Sequence, residues 1–100
     1  MLNIGDRVVV TRNFTQDNYD FKVGHTGTVL ANSDSRDLIE WDFESPEFHN
    51  GGQWCHTQDK YVYGRKKHCY YIEDYKIKCL EIIPKKKCNG GFYNECDWFY

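Results

Sequence analysis

His49, Cys55, His56, His68 and Cys69 all fall in the stretch Phe48–Ile72, FHNGGQWCHTQDKYVYGRKKHCYYI. Imidazoles and thiols are the side chains that ligate metals or pair as base and nucleophile. A zinc site is the first chemistry to weigh, drawing on these five residues with Cys88 and Cys96 in reserve. Structural zinc sites normally present paired ligands from one tight turn, as in C-x2-C. Here Cys55-His56 and His68-Cys69 are adjacent pairs, and adjacent side chains on a strand point to opposite faces. Only one member of each pair then reaches a shared ion, so buried thiols and satisfied histidines are the plainer reading. A Cys/His nucleophile pair lacks both an oriented third group and a nucleophile turn. Glu40 and Asp42 share a strand face, but a charged strand edge explains them equally well. The chain therefore reads as a non-enzymatic protein with no cofactor.

Anion binding fits the stretch better. Arg65, Lys66, Lys67 and His68 sit in or beside a turn led by Gly64, flanked by Trp54, Tyr61, Tyr63, Tyr70 and Tyr71. Cations neutralise phosphate, and aromatic faces stack on bases at roughly 1–3 kcal/mol each. A phosphate-bearing, nucleotide-type ligand needs this arrangement. Arg65, Lys66 and Lys67 would hold phosphates, Trp54 and Tyr63 would stack on a base beside Tyr61, and His49 or His68 would hydrogen-bond. The plainer alternative is a solvated cationic turn over tyrosines that fill the core. A pocket between two copies would enclose more of a small ligand than one shallow barrel can, so a homo-oligomer is expected.

The elements that must position these residues are strands. The chain has 100 residues, enough for one core, and its aromatic fraction of 17% with little Ala or Leu favours strands over helices. Arg7–Arg12 alternates around Val8 and Val10; His25–Ala31 follows Gly24, with a bulge or sharp bend expected at Gly27; Asp37–Phe43 puts Leu38 opposite Ile39 and Trp41. Asn13–Val23 has no period and reads as a long surface loop, and Asn32–Arg36 as a turn. Short strands are expected at Lys60–Tyr63, His68–Ile72 and Ile77–Ile83, with one helical turn at Glu73–Lys76. Pro84 ends residues 1–84, a small all-β barrel of five to six short strands with long loops. Residues 85–100 follow as an extra C-terminal aromatic hairpin turning at Asn89-Gly90.

Charge divides the chain. Residues 1–50 hold four Lys/Arg against nine Asp/Glu, a net of −5, and residues 51–100 hold nine against six, a net of +3. The basic half attracts anions locally, but the overall charge of −2 argues against duplex DNA as a partner. Five cysteines and no signal-peptide core at the N-terminus lead us to expect free thiols and a cytoplasmic protein. No apolar run reaches the roughly 18 residues of a membrane span.

Three segments in order carry a resemblance: Ile4-Gly5-Asp6-Arg7-Val8-Val9-Val10, Val23-Gly24-His25-Thr26-Gly27-Thr28-Val29 and Ile39-Glu40-Trp41-Asp42. With His49-Asn50-Gly51 and Gly64-Arg65-Lys66-Lys67-His68-Cys69-Tyr70-Tyr71-Ile72, this order resembles small SH3-like barrel proteins of phages and prophages, distantly similar to the Mib/Herc2 domain. The resemblance covers residues 4–83. Two departures from it are the longer segment between Gly52 and Gly64 and the hairpin after Pro84. It implies the fold and a mobile-element origin rather than one function. The function expected on it is an accessory binding protein, of the counter-defence kind, that sequesters a nucleotide-type ligand in the host cytoplasm. The alternatives are a module that blocks a host defence protein, using Asp17, Tyr19, Asp20 and Phe21 as well, and single-stranded nucleic-acid binding.

Overall fold

A computed structural model describes residues 2–84. The strands are β1 (Arg7–Val10), β2 (Phe14–Gln16), β3 (Tyr19–Phe21), β4 (Thr26–Asn32), β5 (Arg36–Trp41), β6 (Gly51–Cys55), β7 (Lys60–Tyr63), β8 (Cys69–Glu73) and β9 (Leu80–Ile82). A 3-10 turn, Asp74–Cys79, leads into β9. Five strands form one antiparallel sheet in the order β8-β5-β4-β1-β9, and β2–β3 and β6–β7 are separate hairpins.

The protein is all-β as expected, but the sheet is open and not a closed barrel. Its edge strands β8 and β9 do not pair with each other. It also has more strands than the five or six expected, because Asn13–Val23, read as a loop, folds into the β2–β3 hairpin and Gly51–Cys55 adds β6 as the partner of the expected Lys60–Tyr63 strand. In the first, Asp17 (φ 53°) and Asn18 (φ 68°) form the reversal between β2 and β3. Asp and Asn tolerate the left-handed region through their short polar side chains, so the pair closes a two-residue turn. The expected C-terminal hairpin lies outside the described residues.

Both faces of the sheet are covered, each by one hairpin. On one face Val8, Val10, Val29, Ile39, Trp41 and Ile72 pack against Phe14 and Phe21 of β2–β3, with Phe48 and Tyr70 beside them. Phe21 stacks on Phe14 at 4.8 Å and tilts against Trp41 at 5.1 Å. Each such pair adds about 0.5–1.5 kcal/mol beyond burial. On the opposite face Leu38, Ala31 and Cys69 meet Cys55 and Val62 of β6–β7. Leu38 and Ile39 thus point to opposite faces, and both are fully buried.

Gly27 lies opposite Trp41 in the β4–β5 ladder, and no bulge occurs there. The register shifts between Val29 and Ala31 instead. What Gly27 supplies is room: a Cβ at this position would sit 2.7 Å from Ile39 Cγ2, 2.9 Å from the Glu40 carbonyl oxygen and 3.1 Å from Trp41 Cε3. At the other end of this region, Asp42 accepts a bidentate pair from Arg7 and a hydroxyl bond from Thr26. The Arg7 bonds, then that of Thr26, hold the Asp42 carboxyl below the usual carboxylate range against the opposing effect of burial.

The free edge of β8 is sealed by a side chain. Gln16 is buried; its Nε2 donates to the Tyr71 carbonyl at 2.7 Å and its Oε1 accepts the Glu73 N–H at 3.1 Å. Beyond the His49 bridge at Cys69, one amide therefore takes the place of a paired strand along Tyr71–Glu73. Gln16→Ala should cost about 1–3 kcal/mol, the usual penalty for stranding buried backbone groups. The bare edge should also promote concentration-dependent association, measurable as a lower urea midpoint with increased light scattering. Unchanged values for both would show that water replaces the amide without loss.

Candidate binding cleft

An open cleft of about 440 Å³ lies where the β6–β7 hairpin meets the turn between β4 and β5 and the outer face of β8. Its chemistry comes chiefly from Arg36, His49, Trp54, His56, Tyr61 and Tyr71.

Arg36 is the first residue of β5, placed by a turn in which the Ser33 amide and hydroxyl both donate to its carbonyl at 3.0 and 2.9 Å. It pairs with Glu73 across the ladder, which makes Tyr71 its diagonal neighbour on the same face. The guanidinium carbon sits 4.1 Å above the centre of the Tyr71 ring. Arg36 is exposed and forms no salt bridge with a carboxylate among the described residues.

His49 is held by its backbone, which exchanges two 2.9 Å hydrogen bonds with Cys69 at the edge of β8. Its Nδ1 accepts the Gly51 N–H at 2.9 Å, so a neutral ring carries its proton on Nε2. Burial, then the Arg36 charge, pushes its pKa below the ordinary histidine value. The folded protein favours neutral His49, and this residue's contribution to stability is lost as pH falls through the histidine range. Gly51 (φ 94°) and Gly52 (φ 78°) then turn the chain into β6, a left-handed pair that side-chain-bearing residues rarely adopt.

On the hairpin, Trp54 and Tyr61 are cross-strand partners with rings edge-to-face at 5.3 Å. Gln53 Nε2 donates to Ser33 Oγ at 3.2 Å, and the His56 amide donates to the Asn32 carbonyl at 2.9 Å, fastening β6 to β4 and its following turn. His56 Nδ1 lies 3.1 Å from Asp34 Oδ1. Across the cleft the hydroxyls of Tyr70 and Tyr71 both donate to Asp17 Oδ2 at 3.0 Å, locking β8 to the β2–β3 turn. Burial and then Asp17 push the Tyr70 hydroxyl up to about 12. Tyr71 is raised for the same reasons, so both remain phenols at neutral pH.

The candidate residues from the sequence divide into two groups. His49, Trp54 and Tyr61 line the cleft; the Tyr63 ring lies over Gly52 at its rim, exposed. The cationic turn sits at the far end of β5, about 13 Å from Arg36 to Glu40 at about 3.3 Å per residue. There Arg65 is occupied: its amide donates to Glu40 Oε2 at 2.8 Å, its guanidinium to the Trp41 carbonyl at 3.3 Å, and its Nε lies 3.4 Å from Glu40 Oε1. His68 Nδ1 bonds the same Trp41 carbonyl at 2.8 Å. Lys66 and Lys67 project into solvent.

Arg36 is the cleft residue that reading the sequence did not single out. It looked like the end of a turn, and only the β5–β8 register brings it to Tyr71.

Among the zinc candidates, Cys55 and Cys69 are fully buried in the smaller core cluster, His56 turns to Asp34, and His49 Nδ1 is occupied by Gly51. Among the described residues no three His, Cys, Asp or Glu side chains converge. Burial and then Glu40 push the Cys69 thiol up to about 11, far from the reactive thiolate range. Compared with known protein families, curated proteins and solved structures, the chain matches none of them.

Proposed function

We propose that the protein is a non-enzymatic binder of a small phosphate-bearing ligand with an aromatic ring, of the nucleotide type. The observation that carries this reading is one cleft joining Arg36, which has no carboxylate partner among the described residues and lies over Tyr71, to the aromatic groups of Trp54, Tyr61 and Tyr71. Arg36 presents a planar fork suited to phosphate, and the rings offer faces for a base. The Nε2–H of neutral His49 adds a directional donor. The cleft is open, and a second copy of the chain laid over it would exclude more water, which supports a homo-oligomer.

The strand order β9-β1-β4-β5-β8, with a hairpin between β1 and β4 and a 3-10 turn before β9, supports an SH3-like assignment. Together with the motif order in residues 4–83, it supports a phage-type accessory protein that sequesters a nucleotide-derived signal.

Trp54 is one of three tryptophans, so its emission reports on the cleft once the signal of the Trp54→Ala protein is subtracted. Titration with a panel of mononucleotides, cyclic nucleotides and ADP-ribose should quench it saturably for at least one member. Trp54→Ala should weaken binding of that ligand by about tenfold, the equivalent of one stacked base. A panel that produces neither quenching nor heat in calorimetry rules the reading out. The competing reading, a module that grips a host protein, draws on the exposure of Trp54, Tyr61 and Tyr63 on one hairpin. A partner recovered from host lysate that survives phosphatase treatment would favour it.

A further inference from the structure

The aromatic and cationic surface does not stop at the cleft. Resting on the cleft assignment above, we propose that its ligand is one unit of a single-stranded nucleic acid, whose following nucleotides run along the outer face of β7. Trp54, Tyr61 and Tyr63 are 40%, 59% and 65% exposed, a degree unusual for large rings on one short hairpin. Tyr61 lines the cleft, and Tyr63, two residues along the same strand, lies against Gly52 at its rim. Beyond Tyr63 the chain passes through Gly64 directly into Arg65, Lys66 and Lys67. Ring, ring and cations therefore follow one another in chain order, from the cleft through its rim to the turn after β7.

The lysines of that turn are available. Lys66 and Lys67 are exposed and form no salt bridge among the described residues, whereas Arg65 is taken by Glu40. Asp20 belongs to the β2–β3 hairpin, which covers the opposite face of the sheet. Asp17 reaches the β8 edge and is engaged there by the Tyr70 and Tyr71 hydroxyls, and Asp34 is paired with His56. Asp59 is in the β6–β7 turn, at the far end of β7 from the lysine pair. A mononucleotide would use the cleft and leave Tyr63, Lys66 and Lys67 idle. A strand uses them all, because unpaired bases stack on exposed rings while the backbone tracks the cations. Duplex is excluded from this mode, since its bases are already stacked on each other.

The test compares dTMP with a ten-nucleotide oligo-dT and oligo-U, each titrated by fluorescence at several salt concentrations. The strand should bind at least tenfold more tightly than dTMP, with affinity falling as salt rises by a slope of about −0.7 for each phosphate neutralised. Tyr63→Ala and the double variant Lys66→Ala/Lys67→Ala should each reduce strand affinity about tenfold; the lysine variant should leave dTMP binding unchanged, and Tyr63→Ala, at the rim, should weaken dTMP far less than the strand. All three substitutions are at exposed positions, and circular dichroism of each variant checks that it folds. A strand that binds no better than dTMP overturns this proposal alone. Variants that weaken both ligands equally also overturn it. Failure of the mononucleotide panel overturns the cleft assignment and, with it, this proposal.

Discussion

Gly27→Ala should destabilise the fold by about 3 kcal/mol, at the upper end of the usual range for overpacking. In a domain of this size that is a fall of about 12–24 °C in Tm. The magnitude follows from what the new methyl would meet. Ile39 Cγ2, at 2.7 Å, belongs to a fully buried β-branched side chain with few rotamers to choose from. The Glu40 carbonyl at 2.9 Å is backbone in the middle of the sheet, and Trp41 at 3.1 Å is wedged against Phe21. Nothing here can retreat cheaply, so β4 and β5 must separate. A differential scanning calorimetry Tm within 3 °C of the parent would show that the ladder has slack the packing does not reveal.

Arg36→Glu should lower affinity for a nucleotide-type ligand by more than 100-fold. Losing charge-assisted hydrogen bonds to phosphate costs about 1.5–3 kcal/mol, and the new carboxylate repels the ligand as well. The fold should lose little, because Arg36 is exposed and its packing contact is the Tyr71 ring. A cost of about 0.2–1 kcal/mol is expected from the like charge now opposite Glu73. A second readout separates ligand contact from general disturbance. The Arg36 charge helps hold the His49 pKa down, so reversing it should move the His49 titration upward in an NMR pH series. If His49 shifts as expected while affinity is unchanged, Arg36 lies in the cleft but does not touch the ligand. Arg36→Lys, which keeps the charge and loses the fork, should fall between the two.

The sequence showed the fold best where strands are long enough to alternate. Val8 and Val10 in β1, and Leu38 against Ile39 and Trp41 in β5, revealed their faces because four to six residues display a period of two. Phe14–Gln16 and Tyr19–Phe21 are three residues each, too short for any period, so their hairpin looked like a loop. Asp17 and Asn18 were the one local sign of it. Gly27 was noticed as special for the wrong geometry, since a sequence does not show that a neighbouring strand places an indole beside it. The site was half visible for the same reason. His49, Trp54 and Tyr61 stand out by composition, while Arg36 is distant along the chain and reaches them only through strand pairing. Arg65 and His68 drew notice as a local cationic run, yet Glu40 and the Trp41 carbonyl engage them.

The β6–β7 hairpin lies in the connection between β5 and β8, two strands that already pair with each other. Lengthening or exchanging such an excursion adds little closure entropy, about 0.6 kcal/mol for each doubling of loop length. Its grip on the sheet includes just two inward side chains in the smaller core, Cys55 and Val62. On the proposed reading, the exposed aromatic part of the site is therefore carried on an interchangeable cartridge, whose outward positions 54, 61 and 63 are free to diversify while 55 and 62 keep the fit. A lineage under pressure to change its target could rewrite those three letters and leave the aromatic core untouched.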